Sequence, residues 1–389
     1  MIVPAADVKP ECVVTPITAR QSSRRGPVGS PPDRVGADFC ADGAARPGTA
    51  VRLAGVVTLR DVAQAAGVSV STASRVLDER LPTSRTAAAD RVRKAAVDLG
   101  YVRDPLASGL RRSGTSTIGV VVPRLTDTVM AMLYEEIAAA AATRGLFAVV
   151  ATTQDRPEAE RLAVQSLLHR RVDGVVRTTA RTGSPLRIDD SGSGARQVLA
   201  LRTDDIHPAS IGDDRLGGYL ATRNLIDLGH TRIGLVMGPE YATTAVHRRN
   251  GYRDALAEAG IALDDSLIAG DAFSMEAGET AAHVLLDRPA PPTAIFAVND
   301  NNAIGVMAAA SARGLRIPDD LSVIGYNDIP VVSRLPVPLT TVREPFDLIA
   351  RGAVDLLLDE SIHHGGDIRT VVAAPTLIPR RSTAAPRDR

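Results

Sequence analysis

The chain has 389 residues, 45 lysines and arginines against 45 aspartates and glutamates, and only 3% aromatic residues. That length accommodates two or three domains with sizeable cores, and the balanced charge excludes any choice of partner from net charge alone. The only cysteines, Cys12 and Cys40, exclude a disulfide framework or a cysteine metal site in the rest of the chain, and no apolar run approaches the length of a transmembrane helix.

The distribution of charge says more than its sum. Residues 55–115 carry ten basic and six acidic side chains, whereas the remainder beyond 115 is net acidic. A small basic head on a larger acidic body fits nucleic acid at one end. Residues 1–54 are rich in Pro, Gly, Ser, Arg and Ala without periodicity. They are expected to be a disordered tail or the product of a mis-called start, with translation beginning nearer Val51 or Val57. No basic segment followed by an apolar one marks a secretory signal, so cytoplasm is the default.

The first organised stretch is TLRDVAQAAGVSVSTASRVL, Thr58 to Leu77. Thr58 and Asp61 have the spacing of an N-terminal capping box. Leu59, Val62, Ala63 and Ala66 share one helical face. Gly67 supplies a left-handed residue to end the helix, and Ser69 caps a second helix whose Ala73, Val76 and Leu77 face the first. Two short helices joined by a glycine-containing turn predict a helix-turn-helix. The second helix offers Val70, Ser71, Thr72, Ser74 and Arg75 outward, groups suited to a groove. Asp78 to Pro82 is a polar loop. A third helix is predicted over 85–99, with Val92, Ala95, Ala96 and Leu99 inward and Gly100 at its end. In YVRDPLASGLRR, Asp104 and Pro105 start a helix of about two turns, too short to be stable alone and weakened by Gly109.

From Ser116 the pattern changes to β-branched runs alternating with helices. TIGVVVP, LFAVVAT, VDGVVRT, VLALRT, HTRIGLVMG, TAIFAVND and DLSVIGYND predict buried parallel strands. Strand–helix alternation means doubly wound parallel sheets, here too many strands for one, so two α/β lobes are expected with ligand between them at the carboxyl ends of the strands. No G-x-S-x-G elbow, P-loop or G-x-G-x-x-G follows a strand, and adjacent His363 and His364 suit a loop rather than a metal site. No catalysis, metal or cofactor is expected.

From TLRDVAQAAGVSVSTASRVL through LGYVRDPLASGLR, VDGVV, LIDLGHTRIGLVMG, RRNGYRDAL, FAVNDNNAIGVMAA, GLRIPDDLSVIGYNDIP, PLTTVREP and LIPRRST, residues 57–383 resemble the LacI/GalR (lactose-repressor) family of bacterial transcription regulators. The resemblance implies an N-terminal all-α helix-turn-helix head over 55–103 and a hinge helix and linker over 104–115. It further implies a two-lobed α/β periplasmic-binding-protein-like domain over 116–385 that binds effector and dimerises. It implies a homodimeric repressor of palindromic operator DNA, controlled by a sugar-like small molecule. Val70, Ser71 and Arg75 fall where the family reads base edges. Thr58, Thr72 and Ser74 suit phosphates. Leu110 matches the leucine wedged into the operator's minor groove, with Ala107 packed against its dimer mate. Arg248 and Asp300 match the family's effector-binding arginine and aspartate, and Phe273 is a candidate stacking wall. Two departures stand out. Thr128, Val129 and Met130 replace an aromatic pair, and Leu201 stands where an aspartate precedes Arg202. The effector portion alone suits a periplasmic solute-binding protein, but the head and the lack of a signal argue against that.

Overall fold

A computed structural model describes residues 57–78, 82–101, 115–186, 196–363 and 368–387. The head contains helices α1 (Leu59–Ala66), α2 (Val70–Val76) and α3 (Ala87–Asp98). The capping box forms as expected. Asp61 Oδ2 accepts from the Thr58 amide at 2.7 Å, and Thr58 Oγ1 accepts from the Asp61 amide at 3.4 Å. Gly67 ends α1 with φ 64°, a left-handed conformation that costs glycine little. Ser69 Oγ caps α2 by accepting from the Thr72 amide. Val62, Ala63, Ala66, Ala73, Val92, Ala95 and Ala96 form a thin core, and Arg91 Nε donates to the Ala66 carbonyl at 3.2 Å, tying α3 to the end of α1.

The third helix is shorter than its periodicity suggests. Thr86 is its N-cap, accepting from the Ala89 amide, and Leu99 is its C-cap. Leu99, expected to face inward, is 39% exposed. The helix closes at Asp98 and Gly100 turns the chain with φ 63°, so Tyr101 packs on the head core in its place.

The rest folds into two lobes. The first holds β1 (Thr117–Val122), β2 (Phe147–Thr152), β3 (Gly174–Arg177), β4 (Arg196–Ala200), β5 (Ala209–Gly212) and β11 (Thr370–Ala373) in the order β11-β5-β4-β3-β1-β2, all parallel. Helices α4 (Thr128–Thr143), α5 (Pro157–His169) and α10 (Phe346–Leu358) pack on it. The second holds β6 (Ile233–Val236), β7 (Ile268–Ala269), β8 (Ala294–Ala297), β9 (Ser322–Asn327), β10 (Thr340–Arg343) and β12 (Thr376–Ile378) in the order β12-β10-β9-β8-β6-β7. Its helices are α6 (Asp214–Asp227), α7 (Thr243–Glu258), α8 (Met275–Leu286) and α9 (Asp300–Ala312). Here the sheet is not wholly parallel, because edge strand β12 runs antiparallel to β10.

The chain passes between lobes three times, after β5, after β10 and between β11 and β12. Strands such as Ile233–Val236 and Ala294–Ala297 are buried throughout, which is why they read as unbroken apolar runs. Helices α6 and α7 touch backbone to backbone. A Cβ on Gly218 would lie 2.1 Å from the Arg248 carbonyl oxygen, so glycine is what allows α7 its position. His363 ends a short helix, α11 (Glu360–His363), rather than lying in a loop. His364 lies outside the described residues.

Candidate functional site

Two sites emerge, one on the head and one between the lobes. On α2, Ala73 is buried while Val70, Ser71, Thr72 and Arg75 are exposed and Ser74 is half-buried. Ser71 and Arg75 are four residues apart, as are Val70 and Ser74, so these pairs form adjacent rows on the outer face. Ser69 Oγ lies 2.9 Å from Ser71 Oγ and 2.8 Å from Thr72 Oγ1, a chain of hydroxyls across the start of the helix, where the dipole favours an anion. The Thr58 hydroxyl is spent locally, donating to Asp61 Oδ2 at 2.7 Å. Ala107 and Leu110, with the rest of the expected hinge helix, lie outside the described residues.

Between the lobes lies a cavity of about 640 Å3. Its walls are the loops that follow β1, β2 and β4 of the first lobe and β6, β7, β8 and β9 of the second. This is the carboxyl-edge position expected of open α/β sheets. Arg248 and Phe273 both line it, and so do Thr128, Val129, Met130, Leu201 and Arg202.

Arg248 is 2% exposed and largely engaged. Its Nε donates to Asp214 Oδ1 at 2.7 Å and Nη1 to the Val298 carbonyl at 2.8 Å, while Nη2 reaches Glu344 Oε2 at 3.4 Å. The guanidinium lies 3.6 Å from the centroid of the Tyr326 ring, a cation–π contact. Asp214 and Glu344 stand beside the first and second passages between the lobes. Two buried acids thus share one guanidinium. Burial, followed by the adjacent Asp214 charge, pushes Glu344 up to about 8. Burial also raises Asp214, outweighing the pull of Arg248.

Asp300 departs from its expected role. It is completely buried and does not line the cavity; its neighbours Asn299 and Asn301 do. Asp300 Oδ1 accepts from Thr341 Oγ1 at 2.6 Å and Oδ2 from the Ile329 amide at 2.8 Å. At the first position of α9, its side chain turns back to hold the loop after β9 and strand β10. Burial pushes its carboxyl up to about 7. Phe273 packs on the backbone of Gly238, where a Cβ would come within 2.3 Å of its ring. One side of that ring faces Arg202, 5.6 Å from the centroid.

Several lining residues escaped the sequence reading: Asp127, Asp155, Tyr241, Asn299, Asn301 and Asn327. Asn301 lies in the first turn of α9, and each of the others ends a strand or lies in the loop that follows one; that placement was the available signal. Asp127 caps α4 through the Val129 amide, and burial raises its carboxyl. Asparagines, carboxylates and Arg202 alternate donors with acceptors around the cavity, an arrangement suited to a ligand with several hydroxyls. Among the described residues, no three His, Cys, Asp or Glu side chains gather as a metal site.

Comparison with known proteins matches both parts of the chain. Residues 58–104 match the family described as bacterial regulatory proteins, lacI family, and residues 222–383 match a periplasmic binding protein-like domain. Over 309 residues the chain is 33% identical to the HTH-type transcriptional repressor CytR of Escherichia coli (strain K12), covering 78% of this chain and 89% of that protein. It is 34% identical over 307 residues to the ribose operon repressor of the same strain, covering 78% and 92%. The lac repressor dimer bound to operator and the anti-inducer ONPF superposes with a TM-score of 0.74 at 28% identity, over 85% of this chain and 99% of that one. The transcriptional regulator CelR–cellobiose complex gives 0.64 at 29% identity, over 84% and 99%.

Proposed function

This chain belongs to the lacI family of bacterial regulatory proteins, and on that premise we propose how its two sites divide the work. The protein is a DNA-binding transcriptional regulator whose affinity for duplex operator DNA is set by an effector, and it acts as a homodimer. The head of residues 55–103 lays α2 in the major groove. Arg75 donates two hydrogen bonds to a guanine, Val70 meets a thymine methyl, and Ser71 reaches a neighbouring base edge. Thr72 and Ser74 hold phosphates. Thr58 contributes mainly by capping α1, since its hydroxyl is already bonded to Asp61. The segment 104–115 is the hinge, with Leu110 as the wedge that opens a base step and Ala107 against its mate.

The domain of residues 116–385 takes the effector between its lobes. Arg248 and Phe273 line that cavity, whereas Asp300 holds the wall behind it. A sugar or sugar derivative fits the mixed donors and acceptors, and the relatives include a ribose operon repressor and a cellobiose complex. We assign the chain no catalytic role, and place it in the cytoplasm with the DNA it binds.

The observation that carries this reading is the division of α2, with Ala73 buried and Val70, Ser71 and Arg75 facing out. The test is selection of a palindromic duplex from a random pool, followed by titration with Arg75→Ala. We expect a loss of about 1–3 kcal/mol on the selected duplex and little change on scrambled DNA. Equal affinity of the parent for both duplexes at moderate salt would overturn the reading.

A further inference from the structure

We propose that Asp155, Tyr241 and Arg181 form a clasp between the lobes, and that effector control of operator affinity works against this clasp. It rests on the reading that the effector binds between the lobes. Asp155 and Arg181 belong to the first lobe, in the loops after β2 and β3, and Tyr241 belongs to the second, in the loop after β6. The Tyr241 hydroxyl donates to Asp155 Oδ2 at 2.6 Å. The Arg181 guanidinium lies 3.7 Å from the Tyr241 ring centroid and also donates to the Asp155 carbonyl oxygen. Both guanidinium groups, of Arg181 and of Arg202, stand 3.6 Å from Asp155 Oδ1.

Two backbone amides extend the same seam. The Thr182 amide donates to the Tyr241 carbonyl at 2.9 Å, and the Thr203 amide to Thr243 Oγ1 at 3.2 Å. Every one of these bonds, apart from those of the two arginines to Asp155, crosses from one lobe to the other. The first-lobe loops that reach across are held in left-handed backbone, with φ of 53° at Gln154, 56° at Asp155, 69° at Leu201 and 62° at Asp205. Such conformations persist in non-glycine residues only where surrounding contacts hold them, and they gather at switching elements. The phenol and the carboxylate belong to the cavity wall, so a ligand there meets the clasp directly. A guanidinium stacked on a ring that is itself hydrogen-bonded to a carboxylate is a discrete arrangement, which separation of the lobes breaks as a unit.

These are positioning residues, acting on the head through the separation of the lobes. The test uses the full chain with Tyr241→Phe, which keeps the ring for Arg181 and removes only the hydroxyl. Hydrogen exchange is read at single amides by mass spectrometry. Thr182 and Thr203 report on the seam. Thr178, bonded to the Val121 carbonyl, and Val298, bonded to the Val236 carbonyl, report on each sheet alone. We expect exchange about fivefold faster at Thr182 and Thr203, the factor one hydrogen bond supports, with the sheet amides unchanged. Affinity for the selected palindromic duplex should shift about fivefold or more without added effector, the lower end of usual coupling. Unchanged exchange at the seam, equal acceleration at Thr178 and Val298, or unchanged duplex affinity would each overturn the clasp. None of these outcomes touches the assignment of the head, which the Arg75 titration decides separately.

Discussion

Arg248 Nε donates to Asp214 Oδ1 at 2.7 Å, and both side chains are at most 3% exposed. The bond ties α7 to the first residue of α6, just past the first passage between lobes, while Glu344 approaches the same guanidinium from the second passage at 3.4 Å. The arginine that lines the cavity therefore also holds the two acids beside the chain's crossings.

Removing Arg248 should therefore cost stability as well as ligand. Arg248→Ala leaves the buried Asp214 without its guanidinium partner, and breaking a buried pair this way costs about 3–5 kcal/mol. Urea unfolding of the full chain measures it. Asp214→Asn in the same chain should recover part of the loss. A variant as stable as the parent would contradict the assigned contacts.

The pH dependence has a definite sign. Glu344 titrates at about 8 and Asp300 at about 7 in the folded chain, against roughly 4.3 and 3.9 for free side chains. Between those limits the folded state binds more protons than the unfolded state, so stability falls as pH rises from about 4 to about 8. Urea midpoints between pH 5 and 8.5 should decline, and Glu344→Gln should flatten the slope. A midpoint that climbs across that range would rule the arrangement out.

Gly218→Ala tests the approach of α6 to α7. The added methyl meets the Arg248 carbonyl oxygen at 2.1 Å, a backbone atom with no side-chain freedom to move aside. We expect a loss at or above the ~1–3 kcal/mol usual for overpacking, with a lowered melting temperature. Gly314 is a contrasting site, since a Cβ there meets nothing within 4 Å, and Gly314→Ala should cost only the strain of φ 70°. Equal losses at the two positions would show that packing at Gly218 is looser than described.

Thr58→Ala should weaken the head without touching the cavity. Loss of a capping threonine costs about 0.5–2 kcal/mol, visible as faster exchange of amides in Leu59–Ala66. Thr58→Ser retains the capping oxygen and should behave like the parent. If Thr58→Ala left those amides unchanged while weakening binding to duplex DNA, Thr58 would be a phosphate contact rather than a cap.

The head was legible because its signals are local. A capping box, a turn glycine and a run of alanines each act within four residues, and all three stand where the spacing put them. The third helix was misjudged at both ends for an equally local reason: Thr86 and Leu99 took the caps. The longer buried strands were legible as apolar runs. Ala209–Gly212, Ile268–Ala269 and the β10–β12 edge escaped because two to four residues, several of them polar, leave too little pattern. Arg248 and Asp300 show the limit of motif reading. Both sit in recognisable surroundings, yet one lines the cavity and the other props the wall behind it.

The sequence by itself determined the head's first two helices, the longer strands, the two-lobed α/β class and the outward face of α2, because capping, periodicity and turn chemistry are properties of neighbours along the chain. Only the tertiary structure decided which side chains meet across the lobes. Asp155 and Tyr241 are 86 positions apart, as are no two residues of a local motif, and Arg248 and Glu344 are 96 apart, brought together only by the packing of α7 against the end of β10. Burial then set the charge of those groups, since a carboxylate removed from water titrates according to the neighbours that folding supplies.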